Sequence, residues 1–462
     1  MIKSIQQRLF WFLLLISLTL VLLLNQLSPG NAQTYNPSRY QTLAEADRFY
    51  QQGNLEKARE LQREVKADFQ QTENLIDAVI DTANLKPAAK VYWRIAKEGM
   101  EQNLESKIFE PLRLLTETQP EFVPGQLLYA DAYILYEQPD KALEILERVT
   151  SQYPELKQPL EKKIAVLVQQ KQWLEAAIAA RQFAVSYPDD PEAAKYQQLA
   201  EEYTKKYQAN LQEEMIGLGI GNILLSTMVG NNYADANVIS LLIQGEAQTG
   251  EIFAQQYKSQ VTLVENPSQV EYVNNIGQKL AQLMGRNDFN YEFFIVEDPT
   301  PNAFALPGGK IFVHTGILKL MHSEAELAGL LGHEIAHAVL SHGFQKMATG
   351  ALLQNFSQII PVSDIIVTLG SLEYSRDLEK QADILGTRAI ASSGYAADGL
   401  HSVMGIFKQL DRENRTPRWL LTHPAPAERV EYLERMIESH GYNRYAYEGV
   451  EEYQRIFGSN NS

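Results

Sequence analysis

Hydrophobic and polar positions divide the chain into stretches of distinct pattern. Residues 9–24 read LFWFLLLISLTLVLLL, an uncharged run preceded by Lys3 and Arg8 and followed by Pro29, Gly30 and Ala32. From about Gln41 to Gln208 the chain is helix-forming, with few β-branched runs and proline confined to boundaries, which predicts a succession of helices. Met215–Ala234 is uncharged and glycine-rich; it is too broken to span a membrane and reads as a buried connector or a membrane-surface contact. Ala351–Leu372, interrupted by Pro361, carries the same two readings. Asn302–Leu306 and Lys310–His314 flank the Gly308-Gly309 pair and predict two strands joined by a turn, the first an exposed edge. Next comes Ser323-Glu-Ala-Glu326, a capping box that opens the helix ELAGLLGHEIAHAVLSH. From Leu327 to Leu340 its only ionisable residues are His333, Glu334 and His337. A helix apolar on every side is a buried helix.

Composition narrows the chemistry. With 462 residues the chain accommodates roughly two to four domains, and with 45% hydrophobic and 21% charged residues it is globular rather than disordered. Its 57 acidic and 41 basic side chains give a net charge of −16, which argues against nucleic-acid partners. The absence of cysteine excludes disulfides, thiolate metal sites and a cysteine nucleophile. All eight histidines lie at or beyond His314, so imidazole chemistry belongs to the last third. Residues 1–32 have the layout of a secretory signal peptide cut after Ala32; extended to Leu27, the apolar run equally suits an uncleaved anchor. Either reading exports the bulk of the chain.

Spacing organises the first half. Pro120, Pro154 and Pro188 recur every 34 residues, Tyr153 and Tyr187 precede two of them, and Ala142 and Ala176 lie 12 residues before the same two. Ile108 stands at that position in the first copy. A 34-residue period with a small residue at a tight crossing and Pro ending the second helix resembles tetratricopeptide repeats. NLEKAREL around Ala58 looks like a further copy, but Ala58 and Ala142 are 84 residues apart, which implies an insertion near residues 70–90. Stacked helix pairs present a groove for peptides or partner proteins; the alternative is a packing platform.

His333 and His337, spaced i, i+4, project from one helix face and can share one cation. Glu334 then lies where it accepts a proton from water. Unpartnered, these buried groups would cost several kcal/mol. A tetrahedral zinc needs a third protein ligand. Glu379, with Asp383 one turn on, is the candidate; on spacing alone it is equally an ordinary charged helix surface beside Arg376, Asp377 and Lys380.

GHEIAH, SRDLEKQAD and THPAPAER, in this order, resemble the gluzincin metallopeptidases of the HtpX and CAAX-prenyl-endopeptidase family, in particular their exported β-barrel-assembly-enhancing branch. The likeness covers about residues 260–440. It implies one Zn2+ held by His333, His337 and Glu379, Glu334 as general base, and Asp383 hydrogen-bonded to a ligating histidine. NAFALPGGKIFVHTGIL resembles the family's segment before the zinc helix, where Asn302, Ala303, Phe304, Gly308 and Gly309 would hold an extended peptide by β-augmentation, or form a hairpin that only packs. His423 and Arg429 match the family's H-P-x-x-x-x-R element. Three readings of that element stand: oxyanion stabilisation, a His423 latch on the metal's fourth position, or a structural salt bridge. His342, five residues after His337, falls off the metal face and reads as structural, as do His314, His322, His401 and His440.

The expected fold is mainly α: a tetratricopeptide-like α-solenoid over 40–210, a connector over 211–259, and an α+β zincin metallopeptidase domain with a small sheet over 260–457. The repeats precede the peptidase domain, whereas the exported branch is expected to carry them after it. The expected function is zinc-dependent proteolysis of misfolded or misassembled envelope proteins in the periplasm or at a membrane facing it. A repeat scaffold with a latent peptidase domain is the main rival, and a non-peptide hydrolase the lesser one.

Overall fold

The computed structural model describes residues 37–69, 77–154, 156–217, 241–242, 244–353, 374–424 and 426–458. The leader at 1–32, most of the glycine-rich connector and most of the second apolar stretch lie outside them. No helix among the described residues is long and apolar enough to cross a membrane.

A first helical pair, Pro37–Gln51 (α1) and Leu55–Val65 (α2), is followed by three more. These are Pro87–Gln102 (α3) with Glu105–Thr118 (α4), Val123–Leu135 (α5) with Pro139–Gln152 (α6), and Lys157–Gln169 (α7) with Trp173–Ser186 (α8). Their second helices end at 118, 152 and 186, so the 34-residue sequence period is the helix-pair period (152 − 118 = 186 − 152 = 34). The terminators work alike. Gln119, Tyr153 and Tyr187 each leave helical geometry while donating a backbone N–H to Leu115, Val149 and Phe183, because a residue before proline is driven out of the α region. Ile108, Ala142 and Ala176 are all fully buried in the second helix of their pair, so the odd first copy occupies the same crossing. Ala193–Gly217 (α9) packs on α8 and ends the array.

The second half begins with Glu246–Lys258 (α10) and Pro267–Leu283 (α11). The strands Glu292–Val296 (β1), Ala303–Leu306 (β2) and Lys310–His314 (β3) form a sheet of order β1-β3-β2. β3 is central and buried at every residue, parallel to β1 and antiparallel to β2, so β1 and β2 are both edge strands; β2, expected to be exposed, is instead buried at Ala303, Phe304 and Leu306, where it packs into the core. Glu324–Val339 (α12) follows and is buried at all its positions, as an all-apolar helix must be. His342–Leu353 (α13), Arg376–Ser393 (α14), Gly399–Arg412 (α15), Arg418–Thr422 (α16), Pro426–Ser439 (α17) and Val450–Phe457 (α18) complete the domain. Its principal core gathers Leu327, Leu330, Leu331 and Ile335 of α12 with Ile390, Leu400, Met404 and Trp419.

The array does not stand apart from this domain. Leu174 and Ile178 of α8 share a core with Phe253, Phe304, Phe312 and Phe344. Lys380 of α14 donates to the Gln152 carbonyl at 2.7 Å, and Arg388 to that of Ser186 at 2.9 Å. The first pair, α1–α2, packs elsewhere. Asp47 accepts the backbone N–H groups of Glu448 and Val450 at 2.8 and 3.0 Å, and Tyr40 donates to Glu326 at 2.8 Å. Lys66, fully buried, ion-pairs with Asp398 at 2.7 Å and Glu448 at 2.5 Å. This accords with the irregular spacing of Ala58: its helix pair docks on the C-terminal domain, apart from the array, and so is not held to the array's register.

Candidate metal centre

Convergence of the donors starts with how two helices meet. Ser323 Oγ accepts the Glu326 N–H at 3.2 Å and caps α12, as the capping box requires. α14, capped by Ser375 through the Leu378 N–H, crosses α12 where each carries a glycine. A Cβ on Gly386 would lie 2.9 Å from the Gly332 carbonyl carbon and 3.0 Å from the His333 nitrogen. Only bare backbones approach that closely, and the approach lowers Glu379 and Asp383 onto His333.

His333, His337, Glu379 and His423 are all buried, and their donor atoms lie within 4.8 Å of one another. The two Nε2 atoms of His333 and His337 are 3.0 Å apart, and Glu379 Oε2 and Oε1 lie 3.5 Å from them respectively. Bonds of about 2.0–2.1 Å at tetrahedral angles place two donors about 3.3 Å apart, so these separations suit one small divalent cation. The protonation pattern suits it too. His333 Nδ1 lies 3.0 Å from Asp383 Oδ1, and His423 Nδ1 faces the Trp419 carbonyl at 3.1 Å and the Thr422 hydroxyl at 2.8 Å. A proton on Nδ1 in each ring leaves an Nε2 lone pair aimed inward. His423 Nε2 has no hydrogen-bond partner among the described residues, and a buried acceptor in that condition calls for a positive charge.

The electrostatic surroundings differ from one group to the next. Burial opposes ionisation of Glu379, but the neighbouring His423 and Arg429 hold its carboxyl well below the usual range. Burial would depress His333, yet hydrogen bonds to Asp383 and Glu379 raise it to about 9, whereas burial lowers His337 to about 4. The Glu334 carboxyl is pushed up by burial. Its Oε1 accepts the Trp419 indole N–H at 2.8 Å and lies 3.7 Å from His423 Nε2.

Arg429 has a different place from the one its motif allows for an oxyanion group. Its Nε and Nη2 grip Asp383 at 2.8 and 2.6 Å, and Nη1 pairs with Glu379 at 2.6 Å. The guanidinium is committed to the two carboxylates and positions them, which is the salt-bridge reading of the H-P-x-x-x-x-R element.

The five residues of the candidate peptide segment lie outside the donor cluster. β2 packs against α12. Phe304 and Phe312 stack at 5.4 Å, with the Tyr257 ring edge-on to Phe304 at 5.3 Å. Ala303 belongs to the main core, and the Asn302 carbonyl accepts the His314 N–H at 3.0 Å. Gly308 and Gly309 have φ of 73° and 78°, and a Cβ on the latter would lie 2.6 Å from Tyr291. The turn therefore needs glycine for packing.

Three residues of the site escape sequence reasoning. His342 Nδ1 is 2.9 Å from His337 Nδ1, although five-residue spacing puts it off the metal face of a continuous helix. The helix breaks first: Ser341 takes a left-handed φ of 59° and swings His342 back. Tyr374 stacks on the His337 ring at 4.1 Å, and Trp419 lies flat on His423 at 4.2 Å and 7°. Trp419 stands four residues before His423, the one signal available. His314, His322, His401 and His440 lie outside the cluster, as expected; His401 pairs with Glu434 at 2.9 Å.

The sequence pattern of peptidase family M48 matches residues 267–437. The chain is 28% identical to the putative beta-barrel assembly-enhancing protease of Vibrio cholerae over 214 residues, 41% of this chain and 44% of that one. It is 33% identical to the mitochondrial metalloendopeptidase OMA1 of Bos taurus over 175 residues, 33% and 34% of the two chains. With the beta-barrel assembly-enhancing protease of Escherichia coli the identity is 24% over 213 residues, 41% and 43%. The chain thus spans less than half the length of each of these three relatives. Residues 267–437, a peptidase family M48 domain, contain the residues that build the buried His-His-Glu cluster.

Proposed function

We propose that this chain is an exported zinc-dependent endopeptidase acting on misfolded or misassembled envelope proteins. The observation that carries the reading is the convergence of His333, His337 and Glu379 on one buried point with Glu334 beside it. Zinc held by those three donors would polarise the scissile carbonyl and the attacking water. Glu334 accepts the proton of that water and passes it to the leaving amine. The Trp419 N–H occupies Glu334 Oε1 and leaves Oε2 for this transfer. Asp383 holds the Nδ1 proton of His333, and Arg429 keeps Asp383 and Glu379 ionised. The side of β2 that faces no strand among the described residues would hold the substrate backbone in an extended form, with Asn302, Ala303, Phe304, Gly308 and Gly309 at that rim. The inward Nε2 of His423 supports the reading in which this imidazole is a fourth donor in the absence of substrate. The leader at 1–32 supports export, and the names of the bacterial relatives support an envelope substrate.

One observation favours the rival scaffold reading: each donor and Glu334 is at most 1% exposed, as a silent peptidase would be. A single comparison separates the two. The full chain and its Glu334→Gln form are assayed for zinc content and for cleavage of casein. Both forms are expected to hold one zinc, with cleavage reduced at least about 10²-fold in the variant. A zinc-replete wild type that cuts no unfolded or envelope protein overturns the proposal in favour of the scaffold.

A further inference from the structure

We propose that His342 and Gln381 form a neutral relay that sets the tautomer of His337 and thereby the zinc affinity of the site; this rests on the reading of His337 as a ligand. The argument runs inward from Gln381. On α14, between Glu379 and Asp383 in sequence, Gln381 places its amide oxygen 3.3 Å from His342 Nε2. An amide oxygen only accepts, so Nε2 of His342 carries the proton and donates it. A neutral ring protonated at Nε2 has its lone pair on Nδ1. That atom lies 2.9 Å from His337 Nδ1, so His337 is the donor there and carries its own proton on Nδ1. Its Nε2 is left with a lone pair directed at the point shared with His333 and Glu379, 3.0 and 3.5 Å away. Reversing the relay would put a proton on His337 Nε2 and remove it as a donor.

The backbone is built for this. Ser341 at φ 59° reverses the chain between α12 and α13, and the fully buried His342 ring lies 4.9 Å from that of His337. Tyr374 stacks on a face of the His337 ring at 4.1 Å. The two ligating histidines are therefore held by different chemistry: His333 by the anion of Asp383, His337 by a neutral imidazole backed by an amide. Each arrangement fixes a ring, but only the first adds negative charge behind it.

Side-chain shape supplies a sharp test. In asparagine Oδ1 stands where Nδ1 stands in histidine, attached to Cγ, so His342→Asn keeps the acceptor for His337. His342→Leu removes it. Zinc affinity of the full chain is measured by competition with a chromogenic chelator, with far-ultraviolet circular dichroism and thermal melting of the zinc-free forms as folding controls. His342→Leu is expected to weaken zinc about 10–100-fold, and His342→Asn to restore affinity to within about threefold of wild type. Wild-type affinity in a folded His342→Leu, or equal weakening in both variants, overturns the relay. If His342→Leu fails to fold, the Asn variant together with Gln381→Leu decides, the latter expected to weaken zinc and overturning the relay if it does not. A wild type that binds no zinc fails the underlying ligand reading instead, and so is told apart.

Discussion

At the scale of single residues, the site works by giving chemically similar groups different surroundings. Glu334 and Glu379 are both buried carboxylates, yet burial pushes the first up while His423 and Arg429 hold the second down. One is therefore ready to take a proton and the other remains an anion. The indole N–H of Trp419 tempers Glu334, because a hydrogen bond to the charged form favours it. Glu334 works deprotonated, so activity is lost as pH falls through its raised pKa, and the acid limb of kcat/KM lies above the ordinary carboxylate range. Trp419→Phe removes the stabilising donor and raises that pKa further. Its acid limb is expected at higher pH than that of the wild type in a kcat/KM profile; a limb unmoved or shifted to lower pH would contradict the assignment. His333, Glu334 and His337 are legible in the sequence because one helix repeats every 3.6 residues. Trp419 is not, because its contact with Glu334 spans 85 positions.

Helices and strands decide whether those residues meet. α12 carries two donors, α14 the third, and the separation of their axes is set where Gly332 faces Gly386. A methyl group at 386 would sit against the Gly332 backbone at 2.9–3.0 Å, and backbone cannot move aside as a side chain can. Gly386→Ala is expected to cost about 1–3 kcal/mol in overpacking and to spread the two helices. Thermal melting should fall, and zinc retained after dialysis should drop with it; full zinc retention at unchanged Tm would show that the crossing tolerates the methyl. The capping box, the edge strand and the 34-residue pairs were readable because each depends on residues close in sequence. The left-handed turn at Ser341 was not: a serine at φ 59° is held there by what surrounds it. That turn alone makes His342 part of the site.

For the whole molecule, the main finding is that the N-terminal half grips the M48 domain at two places. The array lies along α14 through Lys380 and Arg388. The α1–α2 pair, earlier in sequence, reaches the opposite boundary of the chain: Tyr40 contacts Glu326 in the first turn of α12, and Asp47 caps the start of α18. Lys66 is the centre of that attachment. Lys66→Met would leave Asp398 and Glu448 buried and short of a cation, which typically costs about 3–5 kcal/mol. Denaturant unfolding should register this loss, and limited proteolysis should release the 37–69 segment first. An unchanged unfolding midpoint would mean that the attachment rests on the apolar contacts of Tyr40, Leu43 and Val450 alone. Charge counting could not have revealed the pairing, since Lys66 and Glu448 are separated by most of the chain and nothing local distinguishes either from a solvated surface charge.

By itself the sequence determined the elements and the chemistry that lives within one of them: the helical pairs, the buried helix with its two histidines and glutamate, the edge strand and its turn. Periodicity, caps and composition act over a few residues, so they are written in order along the chain. Only the tertiary structure decided that Arg429 binds carboxylates, that His342 stands behind His337 and that the first helix pair packs against Glu326, Asp398 and Glu448. Those outcomes depend on which surfaces exclude water together, and that competition is settled among all the elements at once.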